Sequence, residues 1–325
     1  MKITIITYLE KEDAKEYDVV VDQVAEALKA RKHKPSILGV HGDVRKLISG
    51  LSRRKPDLVF NLMEMFGTNV RADVPIVGLL DLLGYRYTGG GPSELALRQD
   101  KGLAKRALAF EKILYPDFAV FSRDDLETGG NLRMPLFVKP LRADASIGIG
   151  TDALVRDATS LMKRVVAIHE KFNDSALAEE YIEGREFYIG VLGNRDPVAF
   201  PPAEMDFSGL AKGAPHVLDS KAKWAKDSAE YKGTKSIMPD LPDELRAKLQ
   251  KVSLEAYRAL RVRDYGRVDL RYTETGDIYV IEVNANCYLE KSGEFAVAAE
   301  AAGIGYEELV NRIVDLALER AEKDR

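Results

Sequence analysis

The sequence predicts a mixed α/β and α+β protein of three units that opens with a βαβ unit, and three observations predict it. Apolar runs over 2–7 and 57–62 read as buried strands, and the stretches over 17–30 and 43–52 between them have helical spacing. The segment "YRYTGGGPSE" then punctuates the chain with glycines and a proline, which sets a boundary near Gly91. Beyond it the order of elements changes: strands at 118–121 and in "PLFVKP", a helix at 157–172, and a strand pair within 176–192. The expected units are therefore 1–91, 92–178 and 179–325.

The remaining elements follow in order. "RADVPIVGLLDLLG" reads as a helix stopped by Gly84. Leu245, Leu249, Val252, Ala256, Tyr257 and Leu260 recur at helical spacing, as do Leu309, Val310, Ile313, Val314 and Ala317, so two helices should flank a sheet. With 325 residues, 46% of them hydrophobic, the chain can bury one large core or several smaller ones. Its 48 basic residues against 52 acidic ones give a formal charge of -4, too balanced to gather nucleic acid or an anionic membrane. Small molecules or protein are the expected partners, with a homodimer left open. The single cysteine, Cys287, excludes an internal disulfide, and "MKITIITYLEKED" turns acidic too early for a signal peptide, so a cytoplasmic protein is expected. The most apolar run, "VPIVGLLDLLG", is short and carries Asp81, so no membrane span is expected.

"GRVDLRYTETGDIYVIEVNAN" reads as a hairpin turning at Gly276. If Thr273 faces Ile278, counting outward sets Arg271 opposite Val280, Asp269 opposite Glu282 and Arg267 opposite Asn284. Arg267, Asp269, Glu282 and Asn284 then share one face, and Val268, Leu270, Ile281 and Val283 the other. Carboxylates about 5 Å apart at an effective dielectric near 20 repel by roughly 3 kcal/mol. Either a hard divalent cation such as magnesium compensates them, or Arg267 and Arg271 do. "PLFVKPLRADASIGIG" adds Lys139 at a strand end and a loop with Gly148 and Gly150 whose backbone can approach a phosphate, though no Walker pattern is present. "ALAEEYIEGREFYIGVLGN" adds Glu179, Glu180 and Glu186, which are either acceptors for an adenine amine and ribose hydroxyls or solvated strand-edge charges.

Lysine, glycine loop, acids, then Arg-x-Asp and Glu-x-Asn in that order resemble the ATP-grasp superfamily, and within it the D-alanine:D-alanine ligase family, over nearly the whole chain. "GYRYTGGGPSELALRQDKGLAKRAL" is similar to that family's substrate loop, helix and Asp-Lys pair, and "EEYIEGREF" to its adenine hinge. The resemblance implies the ATP-grasp fold with ATP between the central and C-terminal units. It implies phosphate contacts from Lys101 and Lys139, a phosphate loop from Ser146 to Gly148, and an adenine hinge at Glu179, Tyr181 and Ile182. It further implies Glu186 at the ribose, magnesium at Asp269, Glu282 and Asn284, Arg267 at an oxyanion, and Lys223 on a lid. The cofactors implied are ATP and magnesium, two ions, with manganese as a substitute. The activity implied is an ATP-dependent carboxylate–amine ligase working through an acyl phosphate on amino-acid-like substrates. The alternatives are a genuine D-alanine:D-alanine ligase and a non-catalytic ATP-binding regulator.

The chain departs from the family where substrate sits. A family hydroxyl is replaced by Ala145, a lid tyrosine by Trp224, and a Pro-Gly turn by "NCYLEKSGEF". Glu10, Glu12, Asp13 and Glu64 are the candidates to meet a substrate amine, with capping of the following helix the alternative for Glu64. Cys287 reads as a packed thiol, and His33, His41, His169 and His216 lack metal-ligand spacing.

Overall fold

Parallel strands buried on both faces need near-continuous apolar sequence, and the N-terminal sheet has it. β1 (Lys2–Tyr8) buries Ile3, Ile5 and Ile6 at the centre of a three-stranded parallel sheet between β2 (Lys34–Val40) and β3 (Leu58–Leu62). The structure, a computed structural model, describes residues 1–14, 16–129, 132–143, 148–150, 152–211, 215–218, 225 and 227–323. Ser146 and Lys223, together with Ala145 and Trp224, lie outside the described residues. β2 has no counterpart in the sequence reading: Pro35 and Gly39 break its pattern, and an edge strand tolerates both. The helices of this unit are α1 (Val19–Ala30), capped by Asp18 accepting from the Val20 N–H at 2.9 Å, α2 (Val44–Arg54) and α3 (Asp73–Leu82).

After α4 (Pro92–Gln99) and α5 (Lys101–Phe110), β4 (Phe118–Phe121), β5 (Leu126–Gly129), β6 (Leu136–Pro140) and β7 (Leu154–Val155) lead into α6 (Ala158–Phe172) and β8 (Ala176–Glu180). Their five-stranded antiparallel sheet runs β5-β4-β8-β6-β7. One face packs Val138, Ala176 and Ala178 against Leu161, Val165 and Ile168 of α6. The other carries Phe118, Val120 and Leu177, with Gly102 of α5 against Val120.

The strands expected as a pair within 176–192 do not pair with each other. β8 stays between β4 and β6, whereas β9 (Arg185–Leu192) opens the next sheet, so Tyr181 to Gly184 cross from one sheet to the other. The limit expected at 178/179 thus cuts β8, whose Glu179 still faces Phe118 and Phe137. β10 (Val198–Ala199), β11 (Ala203–Asp206), α7 (Ala229–Lys232), β12 (Lys235–Ile237), α8 (Asp243–Ala259), β13 (Tyr265–Tyr272) and β14 (Ile278–Ala285) follow. The six-stranded sheet has the order β12-β11-β9-β13-β14, with β10 on β9. α8 covers its apolar face, where Leu249, Ala256 and Tyr257 share a core with Ile189, Val268, Leu270 and Val283. α9 (Glu294–Ala301) follows, and α10 (Tyr306–Lys323) returns to the first unit, packing Leu309, Val310, Ile313 and Val314 with Val24 and Leu28 of α1.

The hairpin register holds at the acids and fails near the turn. Arg267 faces Asn284 and Asp269 faces Glu282, but Leu270 then faces Val280, Arg271 faces Tyr279 and Tyr272 faces Ile278. A β-bulge at Ile281 shifts the count by one. Val280, expected opposite Arg271 on the polar face, is instead wholly buried in the core, and Ile281 leaves the apolar face to which the count assigned it. At the bulge the Val280 N–H donates to the Leu114 carbonyl at 2.8 Å.

Candidate active site

Side chains alternate across a strand, so one face of β9, β13 and β14 forms a grid. Its rows are Glu186, Arg271 and Tyr279; Tyr188, Asp269 and Glu282; and Gly190, Arg267 and Asn284. Gly190 has to lack a side chain: a Cβ there would stand 2.7 Å from Phe200 and 2.8 Å from Phe295 of α9. Its absence lets α9 approach until Glu294 stands 3.8 Å from the Arg267 guanidinium. Arg267 grips Asp269 with two hydrogen bonds of 2.7 and 2.9 Å, and the Asn284 amide donates to Asp269 Oδ2 at 3.1 Å. Burial pushes the Asp269 carboxyl up to about 6 against the opposing pull of Arg267.

The protein's own cations meet the two opposed acids. Arg267 takes Asp269 as the arginine alternative anticipated, but Lys101 of α5 reaches Glu282 Oε1 at 3.4 Å, and Arg271 turns away to Glu186. Glu186, the ribose candidate, therefore holds Arg271 through one oxygen and the Tyr188 hydroxyl through the other. Arg271 also donates to the carbonyls of Gly184, at 3.0 Å, and His216. His216 stacks on Phe207 with centroids 5.2 Å apart, and its N–H donates to the Tyr181 hydroxyl at 3.1 Å. Tyr181 and Ile182 are half-buried in the connector between the sheets.

On the facing sheet, Lys139 of β6 stands 2.7 Å from Glu179 Oε2, and Lys105 of α5 stands 2.7 Å from Oε1. Glu179 is thus neither a solvated edge charge nor open to an adenine amine, since its carboxylate is enclosed between two ammonium groups. Burial alone would raise its pKa, yet Lys105 and Lys139 hold it below the usual carboxylate value. The sequence reading did not single out Lys105. The available signal was its place one helical turn after Lys101, which sets both lysines on one face of α5. Lys101 also donates to the Ala143 carbonyl at 2.9 Å. Gly148 packs on Pro140 and Phe172, and its carbonyl accepts from Arg164.

A cleft beside the grid joins the first unit to the last sheet. Its lining includes Tyr8, Asp18, Asn61, Glu64, Cys287 and Tyr288. Of the four acids proposed to meet an amine, Glu64 lines this cleft, while Glu12 pairs with Lys46. Asp18, which the sequence reading missed, receives the Tyr288 hydroxyl at 2.7 Å. Cys287 is buried and its thiol pushed up to about 12, in keeping with a packed, unreactive sulfur.

A sheet of paired acids thus faces a sheet and helix of lysines, with the chain crossing between them. The family model described as D-ala D-ala ligase C-terminus matches residues 110–315. The D-alanine–D-alanine ligase of Sphingopyxis alaskensis is 30% identical over 304 residues, spanning 91% of this chain and 91% of that protein. The uncharacterized protein y4sG of Sinorhizobium fredii is 31% identical over 310 residues, or 93% of this chain and 88% of the other. The crystal structure of D-alanine–D-alanine ligase from Bacillus anthracis complexed with ATP shares the fold, with a TM-score of 0.77 over 100% of both chains at 22% identity. The chain belongs to the D-alanine–D-alanine ligase family. It is accordingly an ATP-grasp ligase that joins a carboxylate to an amine through a new C–N bond.

Proposed function

We propose that ATP lies between the two larger sheets, that magnesium sits at Asp269, Glu282 and Asn284, and that the enzyme joins amino-acid-like substrates other than a pair of D-alanines. The carrying observation is the register of Asp269 against Glu282, with Lys101 reaching Glu282 from the opposite unit. The donor set fits a hard cation. Among the described residues no three His, Cys, Asp or Glu stand together to hold a metal by themselves, so two carboxylates, an amide oxygen and substrate phosphates would share it, as magnesium prefers. Magnesium, when bound, supplies charge neutralisation for the transferring phosphoryl group.

The chain's own residues do the rest. Lys101 and Lys139 hold phosphate oxygens, and Ser146, Gly148 and Lys223 are the further phosphate contacts that the family resemblance implies. Tyr181 and Ile182 border the base, and Glu186, fixed by Arg271, accepts from the ribose. The substrate carboxylate attacks the γ-phosphorus and ADP leaves; the amine then attacks the acyl carbon and phosphate leaves. Arg267, already ordered by Asp269, meets the oxyanion of that second step. Asp18 and Glu64 give the cleft two carboxylates for a substrate ammonium. Tyr288 and Glu294, in the segment that replaces the family's Pro-Gly turn, support a substrate other than the second D-alanine.

Magnesium-dependent ADP release on addition of pooled amino acids, with the product identified by mass, tests this reading. A kcat/KM for D-alanine above about 10⁴ M⁻¹s⁻¹ would make the chain a D-alanine–D-alanine ligase and overturn the substrate claim. ATP binding with no ADP release for any acid and amine would favour the non-catalytic regulator.

A further inference from the structure

Lys105 is too enclosed to touch a nucleotide. Its side chain is 2% exposed and that of Glu179 is 4% exposed. Apart from their 2.7 Å contact, Lys105 Nζ and Glu179 Oε1 make no hydrogen bond among the described residues. The other oxygen of Glu179 meets Lys139, which stands at the end of β6 on the same sheet face. Burial lowers the Lys105 pKa and Lys139 lowers it further, against the pull of Glu179 and Glu282, so two lysines compete for one enclosed carboxylate, a crowding that costs stability unless an anion arrives to share it.

We infer that Lys105 is a positioning residue for the ATP phosphates, holding one oxygen of Glu179 so that the other orients Lys139 without cancelling its charge. This inference rests on the proposed ATP site. With Lys105 absent, Glu179 would pair with Lys139 alone and draw its ammonium away from the phosphate. The two lysines of α5 face different acids: Lys101 reaches Glu282 at 3.4 Å and the Ala143 carbonyl, and Lys105, one turn on, reaches Glu179. Tyr115 and Phe137 flank the pair, their ring centroids 5.8 Å from Lys105 Nζ and Lys139 Nζ respectively. The two ammonium groups keep Glu179 ionised despite its burial, as the bridge requires.

A purely structural lysine would be replaceable by methionine, which has similar length, with no preference among ligands. The test compares ATP with adenosine, which lacks phosphates, by calorimetry on Lys105→Met. Adenosine affinity should stay within about twofold of wild type while ATP affinity falls at least about tenfold, the scale expected for one charge withdrawn from an enclosed phosphate site. Lys105→Met/Glu179→Gln, in which nothing remains to cancel Lys139, should recover most of the ATP affinity. Lys105→Gln carries the same comparison if Lys105→Met does not fold. An unchanged ratio of ATP to adenosine affinity in a folded single variant, or no recovery in the double variant, would overturn the inference. Failure of the wild type to bind ATP would instead sink the reading of the ATP site.

Discussion

Asp269 and Glu179 are both buried carboxylates, yet they stand in opposite electrostatic company. Glu179 has two lysines to itself, and its pKa is held low. Asp269 has Arg267, which Glu294 also approaches, and burial, with Glu282 and Glu186 nearby, pushes it up to about 6. Cations exceed carboxylates on the central sheet and carboxylates crowd together on the facing one. The two walls of one gap thus carry opposite electrostatic bias, as the proposed phosphate and metal sites require.

The largest effect that sharpens this contrast is expected at Glu282. Glu282→Gln should lower turnover by more than the roughly 10- to 100-fold that loss of an outer-sphere metal partner costs. Its urea midpoint should hold, because the change relieves crowding between acids; near-normal turnover at saturating magnesium would break the comparison. Glu179→Gln should act the other way, destabilising the fold by about 3–5 kcal/mol in urea titration because it strands two buried lysines. That loss depends on pH with a defined sign. A carboxylate whose folded pKa is depressed stabilises above its unfolded value near 4.3 and loses that contribution as pH falls through the folded value. The gap between wild type and Glu179→Gln should thus narrow on acidification below about pH 4, and a constant gap would contradict it.

A smaller effect is expected at the proposed ribose contact. Arg271→Met removes the cation that fixes Glu186 and should raise the KM for ATP by roughly tenfold, the scale of one charge-assisted hydrogen bond, with little change in kcat. An equal fall in kcat would assign Arg271 to the chemical step. Smallest of all, Cys287→Ala should change kcat less than about threefold, and the thiol should resist alkylation at neutral pH, since a thiol near 12 is scarcely ionised there.

How far these features are legible in sequence depends on how local they are. The Asp269–Glu282 opposition is reached through two offsets that cancel: the count sets Thr273, not Tyr272, opposite Ile278, and the bulge at Ile281 restores the register at the acids. The Ile281 bulge escaped because the extra residue is as apolar as its neighbours; the adjacent Val280 and Ile281 were the one break in alternation that marked it. Glu179 could be placed on a strand, but its partners come from α5 and β6, and no spacing rule links those three. β8 and β9 look like a hairpin because they are consecutive, and only tertiary pairing sends them to separate sheets. Asp18 was not singled out at all: it caps α1 and also accepts from Tyr288, 270 residues away in sequence, and no local pattern links the two.

The bulge has a consequence beyond register. β14 is the last strand of its sheet, and a flat terminal strand offers a row of open backbone donors that another polypeptide can zip onto. The extra residue at Ile281 breaks that row in the middle, and the Val280 N–H is already given to Leu114. The strand that carries Glu282 and Asn284 is thereby made a poor template for amyloid-like stacking, so a polar terminal strand can stand at the sheet's edge without recruiting a stray chain.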